Sequence, residues 1–196
     1  REQARLIGLL PQALTPIRPE EGAASHLPLP NAQRRILTIG LAAQIESFIS
    51  EAVERHPQGG DVSGLLLVRR CNDHLLSLVD ALHGYVGELT GLTEAAPHEC
   101  SICDAMTESL HFLLSLAADQ ANGEAEEGSM LARLTGDRSE IMSRYRNEIV
   151  LENTHSNANR EALFVATGLF ERMVWLVRRL SADLETIAHE TGTAPA

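Results

Sequence analysis

Residues 163–187, LFVATGLFERMVWLVRRLSADLETI, contain the pattern that decides the fold. Apolar side chains recur there at alternating spacings of three and four, which places them on one face of a long helix. The members of this seam are Leu163, Ala166, Phe170, Met173, Val177, Leu180, Leu184 and Ile187. A helix of about 30 residues is roughly 45 Å long and is stable only against other long helices. The charged residues that fall off the seam, predicted to be solvated flanks, are Glu171, Arg172, Arg178, Arg179 and Glu185.

The composition supports the same fold class. The chain has 196 residues, of which 44% are hydrophobic and 22% are charged, as in an ordinary soluble domain with a core of its own. Only 4% are aromatic, which is common in a bundle with an aliphatic core. We therefore predict an all-α protein.

The charge and the cysteines limit the partners and the compartment. The formal net charge of −11 repels phosphate backbones, so no nucleic-acid partner is predicted. Three cysteines without a secretory signal indicate a reduced, intracellular chain. No apolar run approaches the roughly 18 residues that span a bilayer. Because the chain begins at Arg1 rather than Met, a transmembrane part can precede it.

Three segments follow from the positions of prolines and turns. Repeated prolines predict an extended linker or arm over 1–30, a helical bundle domain over 31–190 and a disordered tail over 191–196. Within the domain, the breaks at 57–61, near Pro97, at Asn122-Gly123 and at 153–159 separate five helices. Their short connections predict an antiparallel bundle of about five long helices. Gly91 is the predicted end of the second helix, and Gly136 a kink in the fourth.

The first predicted helix runs from Asn31, its N-cap, to about His56, and its predicted inner face is Leu37, Leu41, Ile45, Phe48 and Ala52. The second and third predicted helices also carry apolar seams. That of the second is Val68, Cys71, Leu75, Leu78, Leu82, Tyr85, Leu89 and Leu92. That of the third is Cys103, Met106, Leu110, Leu113 and Ala117, and the weaker one of the fourth is Leu131, Leu134, Ile141, Tyr145 and Ile149.

Two Glu-x-x-His spacings are candidates for a metal site. They are Glu108/His111 and Glu152/His155, and in di-iron bundles two such motifs bind the metals together with two further glutamates. The second pair lies at a helix end, where it would not face a bundle interior. A charged pair on a solvated helix face is the favoured interpretation.

A Cys-x-x-Cys, Cys100/Cys103, is a candidate for half of a zinc site, which needs two more ligands. A fold-back near residue 94 would put Cys71 and His74 far away, opposite about residue 117. His83 would be better placed, opposite about residue 105. Cysteines that fill small gaps in a core are the favoured interpretation.

Nucleophilic catalysis has no motif here, neither a Gly-x-Ser-x-Gly elbow nor a phosphate-binding glycine loop. Asp80 and His83, one helical turn apart, are interpreted as a surface salt bridge. We therefore predict that the chain is not an enzyme and assign no catalytic, cofactor-binding or metal-binding residue.

The stretch from Arg144-Tyr-Arg-Asn-Glu-Ile-Val through Gly168-Leu-Phe-Glu-Arg-Met-Val-Trp175 to Leu184 resembles the PhoU-like domain. It is most similar to the helical domain that follows the transmembrane part of bacterial sodium/phosphate cotransporter family proteins. The resemblance covers 31–190 in outline and 141–187 residue by residue. It implies a cytosolic, membrane-associated regulatory domain of a phosphate transporter, with the transmembrane part of the same polypeptide as its partner.

The resemblance does not transfer the family's metal site. Soluble members carry a Glu-Arg followed three residues later by a metal-binding Asp. Here Glu171-Arg172 matches, but Trp175 stands where Asp would be, and 113–119 lacks the Glu-Arg altogether. The alternatives that stay open are a soluble PhoU-type regulator, a metal-binding bundle enzyme, and a dimerisation bundle in which a long seam pairs with its copy.

Overall fold

The computed structural model describes residues 2–18, 31–55, 62–95, 101–123, 125–136, 142–144, 146–147 and 157–190, and within these ranges it contains helices and no strand. The predicted all-α class is confirmed. The helices are α1 (Glu2–Leu9), a 3-10 turn (Pro11–Leu14), α2 (Asn31–Arg55), α3 (Val62–Ala95), α4 (Ser101–Ala121), α5 (Ala125–Leu134) and α6 (Asn157–Glu190). Residues 142–144 and 146–147 are also helical.

The centre of the bundle is the pair α3 and α6, each of 34 residues and therefore about 51 Å long. Arg70 near the start of α3 is bonded to Asp183 near the end of α6. Further along, a Cβ on Gly84 would lie 3.4 Å from Leu169 Cδ1, an ordinary van der Waals contact. The residue numbers fall on one helix as they rise on the other, so the two helices are antiparallel.

Helix α2 packs on the other side of α3, also antiparallel. Arg69 Nη2 lies 2.8 Å from Glu46 Oε1, and Arg35 Nη2 lies 2.8 Å from Asp80 Oδ1. Both ion pairs are at the edge of the interface, where solvent reaches them. Apolar side chains fill the interface itself.

Helix α4 packs against α6, α5 and α1. The buried hydroxyls of Tyr85 and Thr107 are 3.1 Å apart, and Gln120 Nε2 donates to the Ser181 carbonyl at 3.1 Å. These two contacts make α4 antiparallel to α3, as the predicted fold-back requires, and parallel to α6. Burial raises the pKa of the Tyr85 phenol above its ordinary value, against a smaller opposite effect of the Thr107 hydrogen bond.

The predicted seams of α3, α4 and α6 form the core. The predicted inner face of α2 is wrong at Leu37 and Phe48, which are exposed, because apolar residues occur on several sides of this helix and the spacing does not select one; the buried positions are Ala42, Ile45 and Ile49. In α6, six of the eight predicted positions are buried, and Leu184 and Ile187 are half-buried because they lie near the helix end. In α3 only Val68 of the predicted seam is half-buried rather than buried. The five predicted core residues of α4 and Leu131 of α5 are buried as well.

The prediction of an extended linker is wrong for residues 2–18. There the chain forms α1 and the 3-10 turn, and Leu6, Ile7, Leu10 and Leu14 are buried in the main core. Their spacings of one, three and four suit a helical surface. Pro11 does not prevent this, because it stands in the first position of the 3-10 turn, where no helical donor is lost. Residues 19–30 and 191–196 lie outside the described ranges.

Several helix ends differ from prediction. Helix α3 continues past Gly91 to Ala95, and α5 ends at Leu134, so Gly136 follows a helix end and does not kink a continuous helix. Gly123, with φ of 105°, ends α4 as predicted, in the left-handed conformation that glycine adopts without strain. Ile141, Tyr145 and Ile149 of the predicted fourth seam lie outside the described residues.

The expectation that no apolar stretch is long enough to cross a membrane is wrong for α2. Within the part of the chain that the structure describes, Arg35–Arg55 meets the criteria of length and composition, with a mean hydropathy of 1.4 over an 18-residue window. Glu46 and Glu51 interrupt the apolar run, but they do not lower its mean hydropathy below the value that a membrane-spanning helix requires. Only 17% of that window is buried.

Candidate functional site

A buried polar cluster lies between α3 and α6, around Asp183, whose side chain is 6% exposed. Arg70 donates from Nε at 3.0 Å and from Nη2 at 2.5 Å to Asp183 Oδ1. His74 Nδ1 lies 3.0 Å from Oδ2 of the same carboxylate. The hydrogen bond to Asp183, and then its charge, raise the pKa of Arg70 above its ordinary value. One buried carboxylate thus holds two side chains of the facing helix.

The helical period explains how the cluster assembles. Arg70 and His74 are four residues apart, so they lie on the same face of α3. Asp183 follows Leu176 and Leu180 at spacings of four and three, which puts it on the inner face of α6. Sequence reasoning missed this site, and an acidic residue at seam spacing was the signal that could have revealed it.

An aromatic contact completes the surroundings of His74. The rings of His74 and Trp175 meet edge to face, with their centroids 6.3 Å apart. The Arg179 guanidinium carbon lies 5.1 Å from the Trp175 ring centroid, in cation–π range. The imidazole is therefore fixed by the carboxylate at Nδ1 and by the indole beside its ring.

An imidazole oriented by a buried carboxylate is also one part of a catalytic triad, but the neighbouring thiol is not suited to be its nucleophile. Cys71 is completely buried, and burial, followed by the charge of Asp183, raises its pKa to about 12. A thiol with that pKa is protonated at neutral pH and reacts slowly. The arrangement fastens two helices, and its chemistry is that of an ion pair.

A second cluster fastens α6 to the helical segment before it. Arg146 donates from Nη2 to Glu171 and from Nε to Thr167 Oγ1, the latter at 3.2 Å. Thr167 in turn donates to the Phe164 carbonyl at 2.8 Å. The prediction that Glu171 is a solvated flank is therefore wrong: it is half-buried, because Arg146 covers it.

Beside this second cluster lies an open groove of about 620 Å³. Its charged lining consists of Glu171, Arg172 and Arg178, and Trp175 and Phe170 contribute aromatic surface. Among the described residues of the lining, two arginines stand against one glutamate. The residues that carry the family resemblance thus form one wall of this groove.

In the first Glu-x-x-His pair, Glu108/His111, the glutamate forms an ion pair. Glu108 is exposed and accepts a hydrogen bond from Arg18, next to α1. Glu152 and His155 lie outside the described residues. Among the residues that are described, no three His, Cys, Asp or Glu side chains are grouped so that they could hold a metal ion.

The zinc candidates are not brought together either. Cys71 is buried and His74 is bonded to Asp183. Cys103 is buried and disulfide-bonded, which contradicts the expectation of a fully reduced chain, while Cys100 falls outside the described ranges. Asp80, predicted to pair with His83, is instead held by Arg35 of α2.

Comparison with known proteins found no match to a family model, to a curated protein or to a solved structure.

Proposed function

We propose that this chain is a non-catalytic helical regulatory domain. The observation that carries the proposal is the use made of the two inner carboxylates of α6. Asp183 is bonded to Arg70 and His74 of α3, and Glu171 is bonded to Arg146. Asp183, His74 and Glu171, which could otherwise serve as bases or metal ligands, are thus occupied in fastening α6 to its neighbours.

Such fastening suits a domain that transmits a displacement. Glu171 and Asp183 are twelve residues apart, so the two attachments are separated by about 18 Å along α6. Helix α6 itself is about 51 Å long and contacts α3, α4 and α5. If one attachment changes, the whole of α6 shifts, because a helix moves as a nearly rigid body. Its contacts with α3, α4 and α5 then change as well, and the two resulting packing arrangements would be the two states between which a signal selects.

More narrowly, we propose that this is the cytosolic regulatory or sensing domain of a sodium-dependent phosphate transporter family protein, on the cytoplasmic side of the inner membrane. Its partner would be the transmembrane part of the same polypeptide, and no nucleic acid is involved. The support is the resemblance over 141–187, whose two halves are joined in space by the Arg146–Glu171 pair. The arginines that line the groove, Arg172 and Arg178, also suit an anionic signal such as phosphate.

The attachment to a transporter is tested by reading the coding sequence on the N-terminal side of Arg1. Several apolar stretches of about 20 residues there, particularly as an internal repeat, are the expected result. A start codon directly before Arg1 would refute the attachment, and a soluble PhoU-type regulator would take its place.

The regulatory role is tested by Glu171→Gln in the full-length parent protein. Removing the charge loosens α6 from Arg146, so the response of phosphate uptake to internal phosphate should change by about two- to fivefold. The KM for external phosphate should stay as in the wild type, because the variant lies outside the transport path. Glu185→Gln, an exposed acid of the same helix, is the matched control. An unchanged response in Glu171→Gln would contradict the proposal.

A further inference from the structure

Helix α2 leaves a large apolar face in solvent. Phe48 is 69% exposed, Ile36 68% and Leu37 59%. Ala42, Ile45 and Ile49 are buried against the core. At 3.6 residues per turn, Ile36 lies nearly opposite them, whereas Leu37 and Phe48 lie on one flank of the helix. The outward residues named here are as apolar as the inward ones, and none of the residues that the structure describes covers them.

The outermost line of α2 is made of small residues. Gly40, Ala43 and Ser47 follow one another at spacings of three and four, directly opposite the buried side. A Cβ on Gly40 would meet nothing within 4 Å. A glycine inside a helix costs about 1 kcal/mol relative to alanine, and the packing of one chain gives no return for it here. A shallow channel results, bordered by Ile39 on one side and by Leu37 and Phe48 on the other, in which a second helix can approach closely.

The charges around this face favour a protein helix over a lipid surface. Helices that lie in a membrane interface carry Lys and Arg on their polar side. Here Arg34, Arg35 and Arg55 are balanced by Glu46, Glu51 and Glu54, so α2 has no excess of positive charge, and the chain has a net charge of −11. Glu51 is bonded to Arg55, and an antiparallel helix would bring the positive end of its dipole beside the exposed Glu54.

A second copy of α2 meets each of these conditions. In a twofold-symmetric, antiparallel pair every contact is made twice, so one surface must supply both the knob and the hole. Phe48 is the knob and Gly40, eight residues earlier, is the hole. The register that sets Phe48 over Gly40 of the second copy has its centre at Gln44, and it brings the two exposed Gln44 amides together. We propose that the chain forms a homodimer through the α2 face, defined by Ile36, Leu37, Gly40, Ala43, Gln44, Ser47 and Phe48.

The size of the face agrees with this proposal. Ile36, Leu37 and Phe48, with the partly exposed Ile39 beside them, leave roughly 400–500 Å² of apolar side chain in water, about the largest patch that a monomer usually shows. A standard interface buries about 800 Å² per partner, of which somewhat more than half is apolar. The apolar area of the α2 face therefore matches the apolar share of one partner in such an interface.

The long seams of α3 and α6 do not compete for this role. Both are buried within one chain over the described residues, which removes them as surfaces for a copy of themselves. If the chain dimerises, as one alternative from the sequence has it, the contact is therefore made by α2 and not by α3 or α6. This inference is independent of the proposed regulatory function, which concerns α6.

The test is sedimentation equilibrium of the purified chain, with Phe48→Asp and Ile36→Asp as variants. The wild type is expected at twice the 21.3 kDa of one chain, and both variants at 21.3 kDa with unchanged helical circular dichroism. Phe112→Asp is the matched control, because Phe112 is 47% exposed on α4, and it should remain dimeric. A monomeric wild type, or a dimer that survives Phe48→Asp, would overturn the proposal.

Cysteine cross-linking tests the register. Gln44→Cys should form a disulfide between two copies under mild oxidation. Gln33→Cys is exposed on the same helix and should not, because in the antiparallel pair the two positions are about 33 Å apart. Cross-linking of Gln33→Cys alone would indicate a parallel pair and refute the arrangement. If the protein were instead monomeric and bound vesicles of neutral and anionic phospholipid in a way that requires Phe48, the partner of the α2 face would be a membrane and the dimer proposal would be refuted.

Discussion

Helices α6 and α2 both carry many apolar residues, yet the structure uses them in opposite ways. Helix α6 has a narrow seam with charged flanks, and the seam is buried. Helix α2 has apolar residues on several sides, and among the described residues it packs on α3 and, less extensively, on α1. A narrow apolar seam between charged flanks therefore tells which surface a chain buries by itself, whereas apolar residues spread around a helix do not. Apolar residues beyond that pattern, as on α2, point to a partner outside the chain.

The same substitution on the two helices makes the comparison quantitative. Phe170 is 2% exposed in the core and Phe48 is 69% exposed on α2. Phe170→Ala should lower the free energy of unfolding by about 3–5 kcal/mol, because it removes buried contacts and leaves a cavity. Phe48→Ala should change it by less than about 0.5 kcal/mol in dilute, monomeric protein. Urea denaturation followed by circular dichroism measures both.

Repeating the denaturation at several protein concentrations separates the effects of the two substitutions further. The effect of Phe48→Ala should grow as the protein is concentrated, because the dimer adds stability by mass action, whereas the effect of Phe170→Ala should stay constant. A large, concentration-independent loss for Phe48→Ala would mean that α2 belongs to the core as much as α6 does. The contrast between the two helices would then fail.

The buried attachment of α6 predicts the next largest effect. Asp183→Asn keeps the shape of the side chain but removes the charge that holds Arg70 and His74. We expect a loss of about 2 kcal/mol, below the usual cost of breaking a buried pair, because Arg70 reaches solvent. Glu185→Gln, two residues further on and exposed, should cost less than about 0.5 kcal/mol. Equal losses in the two variants would show that Asp183 fastens nothing.

Alkaline pH tests the α3–α6 side of the comparison through Cys71. Its pKa is about 12 in the folded chain and 9.0 when unperturbed. Between these values the unfolded state releases the proton first, so the folded state loses stability as the pH rises above 9. From pH 8 to pH 10 the wild type should lose about 1 kcal/mol more than Cys71→Ala. Parallel pH curves for the two proteins would contradict the burial of this thiol.

The fold could be predicted where a single period dominates. The seams of α3, α4 and α6 were read correctly because residues three and four apart share a helix face whatever the rest of the chain does. Residues 2–18 were misread because Pro11 and Pro16 were given more weight than the helical spacing of Leu6, Leu10 and Leu14. A proline at the start of a helical turn removes no hydrogen bond, and composition alone does not show that it stands there.

The buried clusters were beyond prediction for a different reason. Asp183 and Arg70 are 113 residues apart, and their meeting depends on the register of α3 against α6, which helical periodicity leaves open. Glu171 was placed on a solvated flank by its position on the helical wheel, but Arg146 of another segment covers it. A helical wheel gives the direction in which a side chain points, but it does not show whether another segment of the chain covers that side of the helix.

The smallest predicted effect concerns the contact by which α2 is held on α3. Arg35 donates to Asp80 from Nε at 3.2 Å and from Nη2 at 2.8 Å, and both side chains are about half exposed. Water screens such a pair, so a double-mutant cycle of Arg35→Gln and Asp80→Asn should give a coupling of about 0.5 kcal/mol or less. Adding salt to about 1 M should reduce it further. A coupling of about 2 kcal/mol would mean that this edge of α2 is shielded from solvent, as α6 is, and that exposure of α2 begins only at its outer face.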